Sequence, residues 1–457
     1  MSGTVKDLTK GSPMRLILGF MLPLLLGMLF QQFYNMVDTM VVGKYLGSLA
    51  LAGVGSTGSI NFLVLGFVIG LCSGFAIPIA QKFGSGDYAE LKKYVGATVW
   101  IAIGFAAVVT LATTLLCGQI LTWMNTPDDA FHEAYDYIFV IFLGIPVTFL
   151  YNILSGFIRS LGDSKTPVIF LVISSLLNIA LDIFMIVVLN MGVAGAGWAT
   201  VISQLVSGIL CLIFIIKKFE LLHISKSDLK FNPYYMGRLC AVGLPMGLQY
   251  SITAIGTILI QTAVNGLGAL YMASVTAGSK VGQFMCCPFD AMGSTMATYG
   301  GQNVGAGKPD RIRKGLICCS ALGIGYALIA LAVALLFGGN LAMLFVDTKD
   351  IESGLDPNQI LELARQFLIT NAAFYIPLAF VNIVRFLIQG MGFSQIAVYA
   401  GVSELAARGI VALILAPSLG YTAICFANPI AWIFADLFLI PTFFVCFKKI
   451  KKRLENT

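Results

Sequence analysis

Long apolar runs divide the chain into twelve stretches, at 14–42, 49–82, 92–124, 131–159, 164–190, 192–218, 236–264, 270–301, 311–345, 359–391, 394–415 and 420–447. A helix needs about 20 predominantly apolar residues to cross a bilayer, so the pattern predicts twelve spans and an all-α polytopic membrane protein. Inside several runs, polar side chains recur at helical spacing. On the first, Gln31, Asn35 and Asp38 fall at i, i+4 and i+7 and share a face. The fifth repeats the device with Ser174, Asn178 and Asp182, the sixth carries Thr200, Gln204 and Ser207, and the fourth Asn152, Ser155 and Arg159. Such stripes turn from lipid toward a bundle interior, where hydrogen bonding between helices is one sufficient reason for Ser, Thr and Gln.

The chain is also written twice. A shift of 221 positions lays Leu46 on Leu267, Gly47 on Gly268, Ala52 on Ala273, Gln81 on Gln302, Gly84 on Gly305, Gly86 on Gly307 and Lys93 on Lys314. A slightly larger shift pairs Ile145-Pro146 with Ile376-Pro377 and Leu161-Gly162 with Met391-Gly392. Each copy holds six spans, an even number, so both enter the membrane in the same direction and a pseudo-twofold axis along the membrane normal relates them. The expected division is an N-lobe at 1–218, a linker at 219–233, and a C-lobe at 234–457 that ends in a basic tail.

Composition agrees: of 457 residues 58% are hydrophobic and 11% charged, where a soluble domain carries about 25% charged residues. The net charge of +6 does not indicate nucleic acid, because the basic residues are spread through short loops. Counting alternate loops places 22 of the 28 on one side, which by the positive-inside rule puts both termini in the cytoplasm. Acids gather on the other side, in Asp128, Asp129, Glu133 and Asp136 and again in Asp347, Asp350, Glu352, Asp356 and Glu362. The first run is too long, and too interrupted by polar residues, for a cleaved signal peptide. The ten cysteines show no C-x-x-C spacing, so neither a disulfide framework nor a zinc site is indicated.

Asp38 and Asp182 are the positions hardest to explain structurally. An aspartate in mid-span costs roughly 2.5 to 3.5 kcal/mol on insertion scales, so such residues are functional candidates unless a fixed partner neutralises them. No Lys or Arg stands one helical turn from either. Two carboxyls brought together there could exchange protons. Alternatively, the oxygens of Asp38, Asn178, Asp182 and Thr200 could surround sodium, since hard cations take oxygen ligands. The residues themselves leave both couplings open.

The C-terminal copy lacks both acids: Leu259 stands where Asp38 would fall, and Ile410 to Ala412 where Asp182 would. It offers Gln249, Thr253, Thr257, Gln261 and Asn265 on the seventh span, Thr276, Lys280, Gln283, Asp290 and Ser294 on the eighth, and Asn382, Arg385 and Gln389 on the tenth. Candidate cavity residues are thus Gln31, Tyr34, Asn35, Tyr151, Asn152, Gln204, Gln249, Thr257, Gln261, Lys280, Gln283, Asp290 and Arg385. Glu404 and Arg408 form an i, i+4 pair expected to neutralise each other. Gly53 to Gly58 fits G-x-G-x-x-G but lies in a span with no preceding strand. Gly305-Ala306-Gly307-Lys308 lacks the first Gly and the Ser or Thr of a phosphate-binding loop. The two histidines, His132 and His223, are expected outside the spans. Without a clustered acid pair inside a span for metal-pyrophosphate chemistry, an enzyme is not expected.

In combination, Gln32 to Thr39, Gly162-Asp163-Ser164-Lys165-Thr166-Pro167, Leu177 to Asp182, Ala199-Thr200 and Gly301 to Gly307 resemble the multidrug and toxic compound extrusion (MATE) family over essentially all twelve spans. The resemblance implies two six-helix lobes in the cell membrane and export of amphipathic, often cationic, organic compounds in exchange for protons or sodium. It also implies a coupling-ion site at Asp38, Asn178, Asp182 and Thr200, with no cofactor and no obligate protein partner. Lys280 would weaken a preference for cations. The alternative on the same helix plan is a flippase for a lipid-linked or amphipathic substrate.

Overall fold

The computed structural model describes residues 6–124, 126–346 and 355–455; the acids Asp347, Asp350 and Glu352 lie outside them. The described chain is helical from end to end: α1 (Pro13–Ser56), α2 (Gly58–Ser85), α3 (Tyr88–Leu115), the short α4 (Cys117–Trp123), α5 (Phe131–Leu143), α6 (Ile145–Ser160), α7 (Lys165–Ile183) and α8 (Gly192–Lys218) in the first copy. The second copy follows with α9 (Pro233–Leu267), α10 (Ala269–Gly305), α11 (Pro309–Met343), α12 (Pro357–Ala373), α13 (Tyr375–Gly390), α14 (Ser394–Ile410), α15 (Ala416–Leu419) and α16 (Tyr421–Glu455).

Among the described residues, nine helices are long and apolar enough to cross a bilayer outright. The expected runs 131–159 and 359–391 are not straight: α5 and α6 meet at 47° and α12 and α13 at 51°. The repeated Ile-Pro step explains both breaks, since Pro146 and Pro377 have no N–H to continue the preceding helix and their rings crowd the previous turn. The remaining span, α10, is 37 residues long but falls outside the apolar set, diluted by Thr276, Lys280, Gln283, Asp290 and Ser294.

The duplication is visible in the backbone. Gly47 and Gly268 take φ of 86° and 110°, and Gly86 and Gly307 take 73° and 67°, so the turns that need a left-handed residue recur at the same repeat positions. A π-helical turn, Phe184–Val188, follows α7, and another, Val411–Leu415, follows α14.

Contacts group the chain into two compact units. The first comprises Met1–Lys10, Leu22–Ser251 and Gly301–Gly307, the second Gly11–Met21, Ile252–Gly300 and Lys308–Thr457. The core of the first unit runs through Phe75, Ile79, Leu91, Phe142, Phe149 and Phe157 of α2, α3, α5 and α6. Within it, a Cβ on Gly84 would strike the Gln302 backbone, and one on Gly305 the Gln81 backbone. Repeat-related residues therefore meet reciprocally where two helix ends cross, and only glycine permits that approach. Gln302 is fully buried there, accepting from the Leu8 N–H at 2.9 Å and donating to the Ser160 carbonyl at 2.8 Å. In the second unit, one apolar cluster gathers Val264, Val275, Phe367, Val411, Tyr421 and Ile424.

Candidate functional site

Three helices of the first unit deliver the predicted coupling residues to one place. Helix α1 supplies Tyr34 and Asp38, α7 supplies Asn178 and Asp182, and α8, packed along α7, supplies Thr200. The stripe on α7 works as its spacing requires: Ser174, Asn178 and Asp182 are all buried. Asp38 and Asp182 are 8% and 0% exposed, and their carboxyls hydrogen-bond each other. Two ionised carboxylates cannot bond each other, because each only accepts; such a contact requires a proton on one of the pair.

The neighbours complete the site. With its amide nitrogen toward Asp182, Asn178 donates to Oδ2 at 3.2 Å and its oxygen accepts from the Thr200 N–H at 3.2 Å. This orientation satisfies both groups, whereas the reverse sets oxygen against oxygen. The Tyr34 hydroxyl hydrogen-bonds Thr200, and Tyr137 of α5 lies within electrostatic reach of both carboxyls. Oδ1 of each aspartate has no hydrogen-bond partner among the described residues. None of the ion pairs found there joins Asp38 or Asp182 to a Lys or Arg. An apolar layer of Val41, Val42, Tyr137, Ile141, Ile186 and Val193 packs beside the pair. Its low dielectric makes a second charge costly. Carboxyl, amide and hydroxyl oxygens are also a donor set that suits a hard monovalent cation.

The remaining candidates are scattered. Gln31 and Asn35, on the α1 stripe, are exposed. Asn152 is half-buried and donates to the Thr148 carbonyl at 2.8 Å, while the Thr148 hydroxyl donates to Gln204 at 2.9 Å, so this pair of stripes is joined by hydrogen bonds. Tyr151 is half-buried and Gln249 buried. In the second unit, Thr257, Gln261, Lys280, Gln283 and Asp290 are exposed, and Gln261 donates to Asn265 at 2.9 Å.

Arg385 differs from these: it is 5% exposed and its guanidinium hydrogen-bonds Glu404 of α14. That partner also revises the expected Glu404 and Arg408 pair, whose N–O distance is 3.9 Å. Glu404 is held by Arg385 and has Arg408 as a second, looser neighbour. His132 falls in the first turn of α5 rather than before it, 3.6 Å from Asp136; His223, outside the spans, places Nε2 2.9 Å from the Ile216 carbonyl, to which it donates when that nitrogen carries the proton. Tyr137 and Asp436, on α16, carry no periodic signal and were not singled out by the sequence.

A duplicated helical membrane protein with two adjacent buried carboxyls in one copy is the class so defined. The chain belongs to the MatE family, whose sequence profile matches residues 23–184 and again 245–414. It is similar to the probable multidrug resistance proteins YoeA and YpnP of Bacillus subtilis (strain 168). The first is 29% identical over 302 residues, spanning 65% of this chain and 65% of that protein. The second is 28% identical over 315 residues, spanning 67% and 68%. The fold matches an outward-facing multidrug resistance MATE family transporter of the MOP superfamily with a TM-score of 0.89, at 20% identity over 99% of each chain.

Proposed function

We propose that this chain is a secondary active antiporter of the cell membrane, exporting amphipathic, cationic organic compounds in exchange for protons bound by Asp38 and Asp182. The observation that carries the reading is the contact between two buried carboxyls that no basic side chain neutralises among the described residues. A pair of this kind holds one proton in a tight hydrogen bond and must rearrange when the proton leaves, because two adjacent carboxylates repel in a low-dielectric site. Asn178, Thr200 and Tyr34 keep the two acids in register while that happens. If substrate favours the state with the pair vacant and the ion favours the state with it filled, each shifts the other's equilibrium, which is the reciprocity exchange requires.

Sodium is the second reading, favoured by the donor set of Asp38, Asn178, Asp182 and Thr200. The charge asymmetry of the loops supports cytoplasmic termini. A fluorescent organic cation in proteoliposomes, driven first by a pH step and then by a sodium step, separates the two ions. The expected result is efflux with the pH step, lost in both Asp38→Asn and Asp182→Asn while each variant still elutes as a folded species. Full export by both variants would refute the scheme, and a response to sodium alone would replace the proton.

A further inference from the structure

The second unit buries three charged side chains, Arg385, Glu404 and Arg408, and half-buries a fourth, Asp436, none of which antiport through Asp38 and Asp182 uses. Arg385 of α13 donates to Glu404 of α14, and both are nearly inaccessible. Arg408, one turn further along α14, holds its guanidinium 3.9 Å from the other Glu404 oxygen and donates to the Thr253 carbonyl of α9 at 3.5 Å. It also packs against Gly256, where a Cβ would collide with it. Asp436, in the middle of α16, stands in the electrostatic field of Arg385. It is the one charged residue between Tyr421 and Phe447.

We propose that Asp436 is a second proton-binding site, in the C-terminal copy, whose occupancy switches this cluster between neutral and singly positive. Glu404 faces a guanidinium on each oxygen, Arg385 closely and Arg408 at 3.9 Å. Asp436 is less committed: its Oδ1 is buried and has no hydrogen-bond partner among the described residues. With both acids ionised, two cations meet two anions. A proton arriving from water forms an O–H bond on the Asp436 carboxylate and leaves the guanidinium pair one charge in excess.

The other elements packed on α16 supply no substitute. On α12, Glu362 and Arg365 are exposed, and Arg365 donates to the Leu335 carbonyl of α11 at 3.2 Å. Helix α11 has no charged residue between Lys314 and Met343. Excess positive charge in a buried site disfavours the packing that buries it, so the proton biases how α9, α14 and α16 sit together.

Infrared difference spectra of the purified protein, stepped from about pH 9 to about pH 5, report carboxyl C=O bands directly, and a pH indicator counts the protons taken up. Asp436→Asn should lose one band and bind about one proton fewer per chain. The Asp38→Asn, Asp182→Asn double variant should keep that band, and Asp436→Glu should move it. Wild-type spectra and proton count in Asp436→Asn would overturn the proposal, as would disappearance of every difference band in the double variant. Should Asp436→Asn fail to fold, an unmoved band in Asp436→Glu overturns it equally. Because none of these readouts needs substrate, absence of pH-driven efflux would fail the antiport reading and leave this one standing.

Discussion

When Leu161-Gly162 is laid over Met391-Gly392, the same spacing sets Ser174 on Glu404, Asn178 on Arg408 and Ser155 on Arg385. Matching positions on α7 and α14, the two helices followed by a π-helical turn, thus serve different electrostatic ends, although Asp38 and Asp182 themselves have no acidic counterpart in the second copy. In the first copy, buried carboxyls face each other and an amide. In the second, a carboxylate is gripped by arginine. A carboxyl held by a permanent cation keeps its charge, while one held by another carboxyl must trade it. Duplication supplies two comparable cradles; substitution makes one a fixed tie, and in the proposed antiport the other is the one that exchanges.

The sharpest way to break this comparison is to remove one acid from each copy. Glu404→Gln strands two buried guanidiniums, and losing one partner of a buried pair typically costs about 3–5 kcal/mol. Asp182→Asn removes a group with no cationic partner among the described residues and replaces it by a near isostere, so its cost should stay within about 1 kcal/mol. Thermal unfolding of both variants in the same detergent measures the difference. Equal losses would mean that the first copy is also a structural tie.

The next test transplants one pattern onto the other. Asn178→Arg would give Asp182 the neighbour that Glu404 has in Arg408, at the matching position. The protein should fold, and proton-driven efflux should fall by roughly 5- to 150-fold, the range of typical coupling free energies between two sites. Unchanged transport in a liposome assay would show that neither the amide nor freedom from a fixed cation matters to coupling.

Much of this contrast is legible along the chain because helical periodicity is a local property. Ser174, Asn178 and Asp182 share a face by spacing alone, and so do Gln31, Asn35 and Asp38, so each acid is legible as part of an inward stripe, while their shared site was implied only by the family resemblance. The repeat was legible for the same reason, through its glycines and its Ile-Pro step. What stayed hidden depends on contacts between distant helices. Glu404 sees Arg408 one turn away in sequence, yet its closer partner, Arg385, arrives from another helix. Asp436 is solitary on α16, and Tyr137 looks like any core aromatic of α5. The bends at α5–α6 and α12–α13 were masked because each broken pair reads as one uninterrupted apolar run.

The smallest expected effect concerns the turn before the third helix of each copy, where Gly86-Asp87 matches Gly307-Lys308. Asp87 caps α3 by accepting from the Glu90 N–H at 3.1 Å, whereas Lys308 has no side-chain acceptor to offer α11. That backbone N–H, aided by the Lys82 ammonium 3.3 Å away, holds the Asp87 carboxyl below the usual carboxylate range. A lowered folded value means the carboxylate's contribution is complete above about pH 4 and disappears as the pH falls through the folded value. Asp87→Ala should therefore cost about 1 kcal/mol near neutrality and progressively less in acid, while Lys308→Ala removes no cap at all. Unfolding curves of wild type and Asp87→Ala, followed as the pH is lowered, should converge. A gap that persists undiminished below the folded value would assign the loss to packing rather than to the charged cap.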